Sequence, residues 1–141
     1  MKKPVALLDA CVWLRGIAFP DLASGYLLYL AMVGEIKIVA SPILIEEVRR
    51  NLRRADRPHF PVLVQTVSPS LVNLTDQELL AWSELVPLKD CHVLAAALKG
   101  NADVLVTLDA DHILKRKVRQ GFPLPVLDPD ACVTWLSGRR S

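Results

Sequence analysis

The sequence predicts a single three-layer α/β/α domain over residues 1–141, with a mainly parallel sheet of about five strands. Three observations lead there. Short apolar runs, often β-branched, recur along the chain and suit strands buried on both faces. Stretches with helical spacing lie between them, which is the alternation that crossover connections produce. A chain of 141 residues has enough material for one substantial core and not for two.

The elements follow in order. Residues 4–8 read as the first strand, 21–33 as a helix and 36–40 as the second strand. A helix over 42–54 begins after Ser41, a favoured cap, with Pro42 at its first position. Residues 57–67 stay open: Pro58 and Pro61 interrupt them, and 62–67 suits either a strand or a helical turn. A strand over 71–74 leads to a helix over 76–85, opened by Thr75 with Glu78 three residues on as a capping box. Helices over 91–99 and 110–118 flank a strand at 104–107. A strand at 125–127 precedes a helix over 129–136, with Asp128 before Pro129. No repeat, low-complexity tract or linker divides the chain.

Composition narrows the class. Hydrophobic residues make up 52% of the chain, yet charges interrupt every apolar stretch before the ~20 residues a membrane span needs. The opening Met1–Lys3 and the apolar residues after it are similar to a signal peptide, but Asp9 and Arg15 cut that stretch short. Cys11, Cys91 and Cys132 are odd in number, widely spaced and form no CxxC pair, against both a disulfide framework and a zinc knuckle. The expectation is a soluble protein of the reducing cytoplasm with no membrane partner. The net charge of +2 and pI near 8.5 lie below the roughly pH 9 that marks a dedicated nucleic-acid binder. The distribution says more: Arg49, Arg50, Arg53, Arg54 and Arg57 crowd one segment, and Lys115, Arg116, Lys117 and Arg119 another. Such runs are solvated helix faces by default, and phosphate grips when they flank an acidic centre.

The acids carry the chemistry. Asp9 ends the apolar run 5–8 and Asp109 ends the run 104–108. In an open α/β sheet the strand ends form the crevice where ligands bind, so acids delivered there can share a hard cation. Capping offers a plainer account, because Asp9, Asp90 and Asp109 each precede a plausible helix. Glu47 escapes that account, since it lies well inside its helix. Leu44, Ile45, Val48 and Leu52 form the buried stripe there, Glu47 lies on its flank, and Glu46 points to solvent. The competing role for Glu47 is a surface pairing with Arg50 or Asn51.

Four segments together carry a resemblance: Leu7-Leu8-Asp9-Ala10-Cys11, Ser41-Pro42 leading to Glu47, Lys89-Asp90 leading to Val93-Leu94-Ala95-Ala96-Ala97, and Val106-Thr107-Leu108-Asp109. In order and spacing they resemble the PIN domain family over almost the whole chain. The resemblance implies a small α/β nuclease whose carboxylates hold Mg²⁺ or Mn²⁺. Its catalytic and metal-binding acids fall on Asp9, Glu47, Asp90 and Asp109, with Asp111 in the place of a frequent extra acid. It implies RNA as substrate, products with a 5′-phosphate, and kinship with toxin-type ribonucleases of toxin–antitoxin pairs. An antitoxin protein and a second copy of the chain are then the expected protein partners. Thr107 matches the hydroxyl residue before the last acid, and Cys11 a position where a small polar residue or Cys is ordinary.

Other candidates are weaker on their chemistry. Oxygen donors alone satisfy a hard dication, so His92, His112 and His59 are not required. Trp82 and Trp135 have the spacing of core residues; for Trp13, which follows Asp9 closely, base stacking at the rim of the cleft stays open as the lesser alternative to packing. Two alternatives to the nuclease stand. One is a non-catalytic binding module on the same fold, against which the complete set of acids argues. The other is a phosphatase with an aspartate nucleophile, which lacks here the second acid expected two residues after Asp9.

Overall fold

Strand β1 (Val5–Leu8) leads through helices α1 (Ala10–Ala18) and α2 (Ala23–Met32) to β2 (Lys37–Ala40). Helix α3 (Pro42–Asn51), a 3₁₀ turn at Arg57–His59 and α4 (Phe60–Val67) connect to the two-residue β3 (Ser70–Leu71). The chain returns through α5 (Asp76–Leu80), a second 3₁₀ turn at Leu88–Asp90 and α6 (Cys91–Lys99) to β4 (Val104–Val106). Helix α7 (Arg116–Gly121), β5 (Val126–Leu127) and α8 (Pro129–Arg140) complete it. This computed structural model describes residues 2–140.

All five strands pair in parallel, in the order β3-β2-β1-β4-β5. Successive strands move outward from β1 in one direction and then restart on its other side at β4. Right-handed crossovers therefore place helices on both faces, as the sequence predicts. Helix α6 packs on β1, β2 and β4, while α8 packs on β4 and β5 and meets α2. The direction reverses between β1 and β4, and the crevice beyond their carboxyl ends is where this architecture binds ligands.

The core explains the strength of the strand signals. Ala6, Leu7 and Leu8 are buried, as are all three residues of β4. Seven consecutive residues of α6, Cys91 to Ala97, are buried, and their run of alanines lets the helix lie close on the sheet. Glycine serves the same end where α1 meets α2. A Cβ on Gly16 would come within 2.8 Å of the Ser24 carbonyl oxygen, and one on Gly25 within 2.2 Å of that of Pro20.

The expected caps form. Ser41 Oγ accepts the Leu44 amide at 3.1 Å, Thr75 and Glu78 close the capping box, and Asp128 Oδ1 accepts the Ala131 amide at 2.7 Å. Several boundaries differ, each for a local reason. The open stretch 57–67 is helical from Phe60, and Ser68 ends it in the left-handed region at φ 51°. The helix expected over 76–85 stops at Leu80 and gives way to turns. The one expected over 110–118 begins only at Arg116, because Asp109 holds residues 111 and 112 in a tight turn. Helix α1 was not delimited by apolar periodicity, although Asp9 marks its start.

Trp13 loses its base-stacking alternative. It is 0% exposed and packs edge-on to Phe60 with ring centroids 6.2 Å apart, so it belongs to the core and cannot stack on a base at the cleft. Trp82 packs edge-on to Phe122 at 5.1 Å, and the Arg139 guanidinium lies 4.6 Å from the Trp135 ring. All three cysteines are free. No helix among the described residues is long and apolar enough to cross a membrane.

Candidate active site

The strand ladder continues one residue past β1: the Asp9 amide donates to the Val106 carbonyl at 2.9 Å. That bond delivers the Asp9 side chain to the switch point, where it is only 7% exposed. Both of its oxygens are engaged. Oδ1 accepts the Ala10 amide at 2.7 Å, and Oδ2 accepts the Thr107 hydroxyl at 2.8 Å. Asp9 is thus a helix cap and a site residue together. Burial, the largest influence, pushes its carboxyl above the ordinary carboxylate range, and the Glu47 charge adds to that. The Thr107 and Ala10 hydrogen bonds and His92 act in the opposite sense.

Thr107 is a fully buried hinge between two acids. Its Oγ1 donates to Asp9 and accepts the Asp109 amide at 3.1 Å. Cys11 closes the same corner, with Sγ 3.7 Å from both Asp9 Oδ2 and Thr107 Oγ1 and the Leu108 amide donating to it at 3.4 Å. Burial, followed by the Asp9 charge, pushes that thiol up to about 11.

Glu47 reaches this region from α3, whose Leu44 and Val48 fix the helix to the core. Its Oε1 lies 3.4 Å from Nε2 of His92. His92 is 5% exposed, and its Nδ1 has no hydrogen-bond partner among the described residues. The surface alternative for Glu47 is not what the structure shows. Asn51 donates to the Glu47 backbone carbonyl at 2.8 Å, not to its carboxylate, while Glu46 takes the outward pairing with Arg49.

A second group forms on the neighbouring turns. Asp109 Oδ1 accepts the amides of Asp111 at 3.1 Å and His112 at 3.0 Å, leaving Oδ2 facing His112 Nδ1 at 3.2 Å. The same nitrogen lies 3.8 Å from Asp90 Oδ2. That oxygen is buried without a hydrogen-bond partner among the described residues, a costly state for a polar atom. One donor atom each from Asp90, Asp109 and His112 lie within 4.8 Å of one another. Asp111 is exposed and takes no part in that group.

The acids therefore sort into two groups: Asp9 and Glu47, with His92, and Asp90 and Asp109, with His112. Thr107 bridges them. Carboxylates with one imidazole suit a divalent cation, and the orphaned Asp90 oxygen is a buried acceptor without a hydrogen-bond donor among the described residues. The sequence names both histidines as candidates but sets them aside, since oxygen donors alone satisfy a hard dication. The signal available was position, since each lies within three residues after a candidate acid. Of the basic residues, Arg49 and Arg53 pair with Glu46 and Asp56, whereas Arg50, Arg54 and residues 115–117 are exposed.

Comparison with known proteins bears on the fold and the family. The fold is similar to that in a crystal structure of VapBC2 from Rickettsia felis bound to a promoter DNA fragment: TM-score 0.60, 14% identity, covering 88% of this chain and 98% of that one. It is also similar to PAE2754 from Pyrobaculum aerophilum, with TM-score 0.58 and 17% identity over 97% of this chain and 99% of that one. No curated protein matches the chain by sequence. A sequence profile of the PIN domain does match, over residues 5–111. That span holds Asp9, Glu47, Asp90 and Asp109 in order, and on it the chain belongs to the PIN domain family.

Proposed function

We propose that the protein is a metal-dependent endoribonuclease, acting in the cytoplasm as the toxin of a toxin–antitoxin pair. The observation that carries the reading is the orphaned Asp90 carboxylate oxygen, set beside Asp109 and across Thr107 from Asp9 at the strand-reversal point. Asp9, Glu47, Asp90 and Asp109 would hold Mg²⁺ or Mn²⁺, and Asp111 is the most peripheral of the acids. When bound, the ion supplies Lewis acidity and positive charge opposite the scissile phosphodiester.

The chain's own residues do the rest. Thr107 and the Ala10 amide fix the orientation of the Asp9 carboxylate, which removes a reorganisation cost from the reaction. Glu47 is steadied on its rigid helix beside His92. The exposed Arg50 and Arg54 and residues 115–117 offer cations to the RNA backbone, which the acids would otherwise repel.

An antitoxin partner is supported by the fold shared with VapBC2, a complex crystallised on promoter DNA. It is supported too by the apolar face of α2. Tyr26, Tyr29 and Met32 are exposed there beside a cavity of about 540 Å³ that reaches Phe60 and Leu63. A second copy of the chain is the other occupant that face could accept, as a homodimer.

The test is cleavage of labelled RNA with Mn²⁺ or Mg²⁺ against EDTA, for the wild type and Asp9→Asn. Metal-dependent cleavage that disappears in the variant supports the nuclease. Wild-type turnover by Asp9→Asn refutes the site, and RNA binding without cleavage in any metal would favour the non-catalytic module.

A further inference from the structure

Resting on the metal-site reading above, we propose that His112 gives an imidazole nitrogen to the bound ion, so that the site favours a first-row transition dication over Mg²⁺. Donors that share one hard ion at about 2.0–2.2 Å each lie roughly 3–4 Å apart. His112 Nδ1 meets that spacing with both acids, at 3.2 Å from Asp109 Oδ2 and 3.8 Å from Asp90 Oδ2.

The backbone puts the ring there. Asp109 spends Oδ1 on the amides of Asp111 and His112, which folds the chain back so that the ring three places on meets Oδ2 within hydrogen-bonding distance. A helix over 110–118 would have continued away from the acids. The turn is therefore the device that brings nitrogen into a carboxylate site.

An imidazole between two carboxylates can act as their counter-ion or as a fellow ligand. A counter-ion would close to hydrogen-bonding distance on the acid in greater need. Here the needier oxygen is Asp90 Oδ2, buried and without a hydrogen-bond partner, and it is the farther of the two from Nδ1. The arrangement is that of three donors around a shared point. His92 does not compete for the role: it faces Glu47 through Nε2 at 3.4 Å and stands outside the convergent group. An all-oxygen site suits Mg²⁺, and replacing one oxygen by imidazole shifts the preference toward transition ions.

Mn²⁺ is the probe. Mn²⁺ and Mg²⁺ are titrated calorimetrically into the wild type, His112→Gln, His112→Asn and Asp90→Asn, and ¹⁴N coupling to bound Mn²⁺ is read by pulsed electron paramagnetic resonance. The expected result is ¹⁴N coupling in the wild type that vanishes in both His112 variants. With it comes a loss of about tenfold or more in Mn²⁺ affinity and less than about threefold in Mg²⁺ affinity. Absence of ¹⁴N coupling in the wild type overturns the inference, as does coupling that survives His112→Gln or an equal loss for both ions. In those cases Mn²⁺ binding that is lost in Asp90→Asn leaves the metal-site reading standing. Failure of the wild type to bind either ion overturns both.

Discussion

The two halves of the acid cluster are built on opposite plans. Asp9 sits at the end of a buried strand with both oxygens hydrogen-bonded by the protein itself, and its environment resists its charge. Asp90 and Asp109 sit on turns between elements, more open to solvent, with one oxygen of Asp90 unpaired. The first half is organised before anything binds, whereas the second is left incomplete by the fold. A site made this way can hold its geometry and still have an unmet need for a cation, and the contrast ranks the substitutions that test it.

The largest expected effect is Asp9→Asn, which keeps the shape of the inner half and removes its charge. RNA cleavage should fall below detection, while the metal-free protein should melt a few degrees higher at neutral pH. The sign follows from the raised carboxyl pKa. The folded state holds the Asp9 proton more tightly than the unfolded chain does, so its contribution to stability is full below the unfolded value near 4 and is lost as pH rises through the folded value. The stability gap between variant and wild type should therefore open from acid to neutral pH. A variant less stable than wild type at pH 7 would break the claim that burial dominates there.

Asp109→Ala tests the outer half in the opposite sense. It frees two amides that fix the turn, and should cost about 1–2 kcal/mol in chemical denaturation along with metal binding. Asp109→Asn, which keeps an acceptor for those amides, should lose metal binding with little loss of stability. Equal destabilisation by both variants would show that the carboxylate charge, not the turn, is structural.

Thr107→Val cuts the bridge between the halves without changing its shape. Losing the Asp9 contact and leaving the Asp109 amide unpaired should cost about 1–3 kcal/mol. Because the Thr107 hydrogen bond lowers the Asp9 pKa, the acidic limb of the cleavage pH profile should also move upward. An unmoved limb would separate Asp9 ionisation from activity. The smallest effect is expected at Cys11. Its thiol is held at about 11 and hydrogen-bonded, so it should resist maleimide at pH 8 in the native state and react on unfolding.

The same contrast explains what the sequence made legible. Strands β1 and β4 and the acids that end them stood out because buried parallel strands write continuous apolar runs. Glu47 stood out because it lies inside a helix where capping fails as an explanation. The turn after Asp109 was hidden: residues 110–118 have helical spacing, and only the capture of two amides by one carboxylate redirects them. That left His112 set aside as not required, because its approach to the acids depends on the turn. His92 is set aside too, because its neighbours in α6 are apolar and nothing in that run tells which face looks toward α3. Nearness to Asp9 in sequence kept base stacking open for Trp13, and α1 turns its ring inward onto Phe60.

The Thr107 to Asp9 hydrogen bond joins residues 98 positions apart, and the Asp9 amide also depends on Val106. During synthesis Asp9 therefore leaves the ribosome well before Val106 and Thr107. No shorter nascent chain contains the corner that orients the carboxylate. The orientation of Asp9 is thus completed only after β4 has been made and has docked on β1.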